Sequence, residues 1–295
     1  MQDVIVIGGS YAGMAAALQL VRARRAVTVI DAGERRNRFA GPSHGFLGQD
    51  GIAAAEIAAT ARRQLEAYPT LSWIDGRAVA VNGGKDDFTV TMADGRHHHG
   101  RRLLFATGLA DQLPEIPGLA ERWGTSVFHC PYCHGYELDR GRIGVIATGP
   151  MSAHQAEMVS DWGTVTFLTN GAVEPDAATR QALAGRAVSL EPVPISRIDG
   201  VADVVLDDGR RLGFAGLFTA PHCVPSSPLA AEAGCALEET PMGVQIRTDA
   251  AKQTSLAGVF ACGDVARMPH SVTLAVADGA WAGAQLHRSL LWPDA

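Results

Sequence analysis

Between Val4 and Asp31 the chain reads as strand, glycine turn, helix, strand and acid, an order that few folds accept. Val4-Ile5-Val6-Ile7 is an unbroken apolar run, as expected of a strand covered on both faces in a parallel sheet. Gly8-Gly9-Ser10-Tyr11-Ala12-Gly13 follows, and Met14, Ala17, Leu18 and Val21 then recur at helical spacing. A second apolar run, Val27 to Ile30, ends at Asp31. This is the layout of a dinucleotide-binding βαβ unit. Glycines let backbone amides approach a pyrophosphate at the helix N-terminus, and the acid accepts bonds from a ribose hydroxyl. Gly8, Ser10, Ala12, Gly13 and Asp31 are therefore the candidate binding residues. Ser10 stands where the second glycine of the usual motif falls, so the turn by itself also fits an ordinary glycine-rich strand–helix connection. The acid at the right distance favours the nucleotide.

A chain of 295 residues is long enough for two domains with cores of their own. Its net charge of −6, without a basic tract, argues against a nucleic-acid surface. No apolar run approaches membrane-spanning length, so no membrane association is expected. The first strand begins almost at Met1, leaving no room for a secretory signal, so the expected location is cytoplasmic. In that compartment paired cysteines serve catalysis more often than structure.

The paired cysteines are in Cys130-Pro131-Tyr132-Cys133-His134-Gly135-Tyr136-Glu137. Two thiols separated by two residues can close a small ring and so switch between dithiol and disulfide. Ser126-Val127-Phe128 reads as an extended entry, and Pro131 suits the first position of a helix. The exposed amides of a helix start stabilise a thiolate. Half of a zinc site is the competing reading, but Cys223, Cys235 and Cys262 are widely spaced and form no second pair. A redox pair is preferred, with no metal; Cys223 and Cys235 read as small buried residues. A β-rich stretch precedes the pair, with a hairpin through Asp94-Gly95 and a strand ending in Ala106-Thr107-Gly108. His97-His98-His99 lie in one hairpin arm, where adjacent side chains alternate faces and cannot converge on one metal; they read as a solvated strand edge.

These landmarks, together with Gly258-Val259-Phe260-Ala261-Cys262-Gly263-Asp264, occur in an order that resembles the low-molecular-weight thioredoxin reductase family of FAD-dependent disulfide oxidoreductases. The resemblance covers nearly the whole chain. It implies an α/β fold of two Rossmann-like, three-layer nucleotide-binding domains. The FAD domain would be discontinuous, over about 1–113 and 221–295, with the domain carrying the cysteines inserted as 114–220. It implies a homodimer. It also implies FAD contacts from Gly263, Asp264 (to the flavin ribitol), Ser271, Val272, Asn37, Ala78, Ala106, Thr107, Gly108 and, on the loop 44–46, His44. Cys133 would be the flavin-proximal thiol and Cys130 the interchange thiol.

Two departures from the family pattern redirect the function. His134 follows the second cysteine where reductases carry Asp; with an ordinary pKa near 6.5, it can take a proton from an incoming thiol. A histidine that only caps the helix is the plain alternative. Ile143 to Ile146 opens a second βαβ unit, but Ala147-Thr148-Gly149-Pro150-Met151-Ser152-Ala153 is a poor nicotinamide turn, with Ala147 for the first glycine and bulk at Pro150-Met151. The next strand ends in Thr169-Asn170-Gly171, where NADPH-using members carry a His-Arg-Arg stretch for the 2′-phosphate. Both departures resemble the dithiol oxidases of the gliotoxin and holomycin pathways. The expected activity is oxidation of a dithiol to a disulfide through Cys130, Cys133, His134 and FAD, with oxygen or another non-nicotinamide acceptor. The substrate is a small-molecule dithiol or disulfide, or a thioredoxin-like protein. A reductase fed by NADPH or ferredoxin is the second reading, and a flavin redox sensor without turnover the third.

Overall fold

In a computed structural model that describes residues 1–293, the chain divides into two compact units. The first comprises Met1–Arg38, Ala53–Ala110 and Cys223–Ala295, whose last two residues lie outside those described. The second comprises Phe39–Ile52 and Asp111–His222. The crossings fall at 110/111 and 222/223, against the 113/114 and 220/221 that the resemblance implied. The loop 39–52 groups with the second unit, for which no apolar period or change of composition gave a signal.

The first unit is built on a seven-stranded sheet in the order Leu71–Asp75, Val27–Asp31, Gln2–Ile7, His97–Phe105, Asp87–Met92, Ala78–Gly84, with Val259–Ala261 also paired to His97–Phe105. Val4, Ile5 and Val6 are fully buried. Burial of each such side chain is worth about 1.5–3 kcal/mol, which is why the run has no polar interruption. Gln2–Ile7 lies parallel to both neighbours, with Val4 opposite Val27 and Arg102. His97–Phe105 serves two partners on one edge: its first residues pair antiparallel with Asp87–Met92, and Leu103 to Phe105 pair parallel with Val259–Ala261. The three histidines thus sit inside a paired arm. His97 and His99 are exposed, but His98 is half-buried, and burial lowers its pKa, so the solvated-edge reading fails for that residue.

The helix Tyr11–Arg22 is buried on most of its surface, because the last helix, Val272–Leu291, lies against it. A side chain at Gly279 would place its Cβ 2.1 Å from the Ala12 carbonyl oxygen. The two backbones meet directly, which fixes the start of the last helix relative to the glycine turn. Ser271 caps that start, its Oγ accepting the Leu274 amide at 3.1 Å.

The second unit has a five-stranded parallel sheet in the order Val127–Phe128, Gly216–Thr219, Arg142–Ile146, Thr164–Leu168, Ser189–Glu191. A three-stranded antiparallel meander over Ile195–Asp199, Asp203–Leu206 and Arg211–Gly213 adjoins it in sequence. Ile143, Val145, Phe167, Leu217 and Phe218 are fully buried at its centre. Both units are thus α/β layers of the Rossmann kind. Among the described residues no helix is long and apolar enough to cross a membrane.

Candidate functional site: a thiol turn and a dinucleotide cradle

The thiol turn belongs to the second unit. Val127–Phe128 leads out of the parallel sheet, and the Gln155 amide donates to the His129 carbonyl at 2.9 Å, steering the chain into the turn. Cys130 is the N-cap, in extended backbone conformation, and Pro131 is at the helix start as expected. The helix is one turn only, Pro131–His134, followed by a 3-10 turn over Tyr136–Leu138. So short a helix carries little macrodipole. The sulfur chemistry is therefore set by the neighbouring side chains.

Cys133 Sγ donates to Cys130 Sγ across 2.7 Å. That bond, reinforced by burial and by the charges of Cys130 and Glu137, pushes the Cys133 thiol well above its ordinary range. Cys133 holds its proton while Cys130 accepts. The His134 ring stacks on Phe128, with centroids 4.3 Å apart and planes 19° from parallel. Burial lowers the His134 pKa, against an opposing pull from Glu137 and with a smaller push in the same direction from His44. His134 is thus neutral at pH 7, the state a general base requires. On the loop 39–52, His44 Nδ1 lies 3.5 Å from Asp50, and its Nε2 lies 3.4 Å from Glu137. Glu137 and Asp50 received no role from the sequence. The available signal was the spacing of Glu137, three residues past His134.

The nucleotide-like turn of the same unit is closed on itself. Ser152 Oγ accepts the backbone amides of Thr148 and Gly149, at 2.9 and 3.3 Å. The Thr148 hydroxyl donates to the Ala220 carbonyl at 2.7 Å. Asn170, at the strand end where NADPH-using members hold the 2′-phosphate, accepts the Ile195 amide through Oδ1 at 2.8 Å.

The first unit gathers the residues assigned to FAD, apart from His44. Gly8 has φ +107°, and a Cβ there would come within 2.3 Å of the Ala106 carbonyl oxygen. At Gly13 a Cβ would lie 1.9 Å from the Gly8 carbonyl oxygen, so strand and helix meet as closely as the motif demands. Ser10 is the N-cap of that helix, and Ala12 packs beneath Gly263. Asp31 Oδ1 accepts the Gly9 amide at 3.1 Å, which holds the carboxylate at the turn. The Asn37 amide donates to the Tyr11 hydroxyl at 3.1 Å. Thr107 and Gly108 present their carbonyls to the side chain and amide of Ser226. Ala78 is buried at the start of its strand, opposite Met92.

Asp264 Oδ2 accepts Arg36 at 3.0 Å, whereas its Oδ1 and the Asn37 Oδ1 are buried with no hydrogen-bond partner. Buried acceptors left unsatisfied cost about 1–3 kcal/mol each, a sign that a ligand completes them. The turn before Asp264 is braced from below. Asp278 Oδ2 accepts the Gly263 amide at 2.9 Å and pairs with Lys252 Nζ at 3.0 Å. A turn that only glycine fits, an acid beside it and two orphaned acceptors suit a flavin dinucleotide. Cys223, Cys235 and Cys262 are all buried, as small core residues. Among the described residues no three His, Cys, Asp or Glu side chains are grouped to hold a metal.

A dinucleotide cradle in one Rossmann-like unit and a redox-capable thiol pair in another define a flavin-dependent disulfide oxidoreductase of the thioredoxin reductase type. The chain belongs to the pyridine nucleotide-disulphide oxidoreductase family, whose profile matches residues 2–279, and it takes FAD as its cofactor. Thioredoxin reductase tcpT of Claviceps purpurea is 33% identical, over 98% of this chain and 94% of its own. An oxidoreductase from Agrobacterium tumefaciens superposes with a TM-score of 0.97 at 58% identity, covering 99% of both chains. HlmI superposes with a TM-score of 0.90 at 34% identity, covering 98% of this chain and 92% of that one. The family resemblance read from the cysteine pair and the Gly258–Asp264 segment is borne out.

Proposed function

We propose that this enzyme oxidises a substrate dithiol to a disulfide and does so without a nicotinamide cofactor. The observation that carries the reading is Ser152, whose hydroxyl already takes the two turn amides that would otherwise meet a pyrophosphate. Charge-assisted bonds of about 1.5–3 kcal/mol could displace such a contact. Here, however, the strand end that would bind the 2′-phosphate offers only Thr169, Asn170 and Gly171, so nothing offsets the loss.

His134, neutral beside the pair, takes the proton of an incoming thiol. The resulting thiolate attacks Cys130 Sγ of the oxidised pair; a mixed disulfide forms, and the electron pair of the broken bond passes to Cys133. The second substrate thiol then attacks the mixed disulfide, releasing the product disulfide and the Cys130 sulfur. FAD, held by Gly8, Ser10, Ala12, Gly13, Asp31, Asn37, Ala78, the segment 106–108, Gly263, Asp264, Ser271 and Val272, supplies the two-electron sink that returns the pair to the disulfide. His44, 3.5 Å from Asp50 and 3.4 Å from Glu137, is placed for proton handling in addition to the flavin contact that the resemblance implies for it.

The substrate class that fits is a small dithiol, with oxygen as terminal acceptor, in a cytoplasmic homodimer that needs neither nucleic acid nor membrane. The test is rapid anaerobic mixing of the FAD-loaded protein with micromolar NADPH. The flavin should stay oxidised with NADPH and bleach with a small dithiol. Fast bleaching by NADPH would restore the reductase reading. Dithiol oxidation under air that stopped at one equivalent would leave only a redox sensor.

A further inference from the structure

The exchange steps leave His44, Glu137 and Asp50 without a task, yet they are tied to one another. His44 is the inner member, its side chain 21% exposed, against 43% for Glu137 and 66% for Asp50, so the Asp50 carboxylate is the one that opens to water. Glu137 is on the 3-10 turn that follows the thiol helix, and its charge acts on both Cys133 and His134. His44 acts on His134 with the opposite sign. The titratable groups around the pair are thus Asp50 on the loop and Cys130, Cys133 and His134 on the thiol turn.

Exchange between a dithiol and the Cys130–Cys133 disulfide moves two protons, since each substrate thiol loses one and each enzyme sulfur gains one. His134 carries one at a time. We propose that His44 and Glu137 are the second proton carrier of this centre, protonating the Cys133 sulfur as its bond to Cys130 breaks and refilling from water through Asp50. In that step the incoming sulfur bonds to Cys130 Sγ, the Sγ–Sγ bond breaks, its electron pair stays on Cys133 and the proton follows it there. No external oxidant or reductant takes part. Glu137 and His44 thus act on the reacting sulfur by proton transfer, and on His134 through their charges. The inference rests on the dithiol-exchange reading above.

The test uses the full FAD-loaded chain in two measurements. Titration of the His134 ring by NMR, in the reduced protein without substrate, should show a lower midpoint in Glu137→Gln, by about half a pH unit or more. The midpoint should rise in His44→Asn. A merely folded or unfolded variant does not produce opposite signs at one imidazole. Anaerobic exchange of the oxidised protein with dithiothreitol at pH 7 should slow about tenfold or more in both variants, the low end of general acid–base contributions being about a hundredfold. Glu137→Asp should recover part of the rate. Shifts of equal sign or none, or an unchanged exchange rate in both variants, would overturn the pair. A wild-type protein that did not exchange with dithiothreitol at all would instead overturn the dithiol reading, and the histidine titration would still judge the pair.

Discussion

Phe128 and His134 are stacked ring on ring, 4.3 Å between centroids, one from the last residue of a sheet strand and the other from the end of the thiol helix. The apolar face excludes water from the imidazole, and its protonated form loses hydration, so the folded-state pKa lies below the ordinary value. In the unfolded chain His134 titrates near 6.5. Below that pH the unfolded state binds a proton that the folded state refuses, so this group lowers stability as the solution is acidified through 6.5. The urea midpoint should fall between pH 7.5 and 5.5, and His134→Gln should flatten that slope. An equal slope in the variant would contradict the buried, neutral imidazole.

Truncating the other ring reads the same contact from its partner. Phe128→Ala removes a core ring that also packs on Phe218, at 5.9 Å, and should cost about 3–5 kcal/mol. Water then reaches His134, and the acid limb of thiol exchange should move up towards pH 6.5. A pH–rate profile on the surviving folded fraction checks the direction.

The two cysteines should fail differently. Turnover should vanish in both Cys130→Ser and Cys133→Ser. Only Cys133→Ser, which keeps the Cys130 sulfur, should trap a mixed disulfide with an aromatic disulfide probe. In Cys130→Ser the Cys133 thiol loses the bond that does most to raise it, and its proton should come off at lower pH, read by alkylation rate. Equal trapping by both variants would contradict the assigned roles, and trapping by Cys130→Ser alone would reverse them.

Flavin content tests the cradle separately from catalysis. Gly13→Ala puts a Cβ 1.9 Å from the Gly8 carbonyl oxygen, between backbones that have nowhere to go, and should yield colourless or insoluble protein. Asp264→Ala removes an acceptor whose Oδ1 has no protein partner. It should leave a folded chain with a low ratio of flavin to protein absorbance. A full yellow complement in both variants would remove the site from this turn.

Lys252→Met should be costly far from the chemistry. It leaves the Asp278 carboxylate, 11% exposed, with the Gly263 amide and the more distant Arg267 guanidinium at 4.0 Å in place of its close ammonium partner. Removing one partner of a buried pair costs about 3–5 kcal/mol. The double variant Lys252→Met with Asp278→Leu should recover part of the urea midpoint, since it removes the stranded charge as well.

Local patterns carried much of this molecule. The apolar runs 4–7 and 143–146, the glycine turn after the first and the spacing of Cys130 and Cys133 are short-range signals, because strand burial, tight turns and ring closure between neighbouring thiols all act over a few residues. From them the sequence by itself determined a dinucleotide-binding βαβ unit, the opening of a second one and the redox pair, and the order of these landmarks carried the resemblance that implied two Rossmann-like units and FAD. Tertiary structure decided the rest. Whether His134 is a base depended on Phe128 lying over it. Whether the second glycine turn is open depended on Ser152 folding back onto Thr148 and Gly149. That His44 meets Glu137 depended on where the loop 39–52 is packed. The protonation state of an imidazole, the availability of an amide and the partner of a carboxylate are set by what is brought near in space, at separations of up to about ninety residues, and no local period records them.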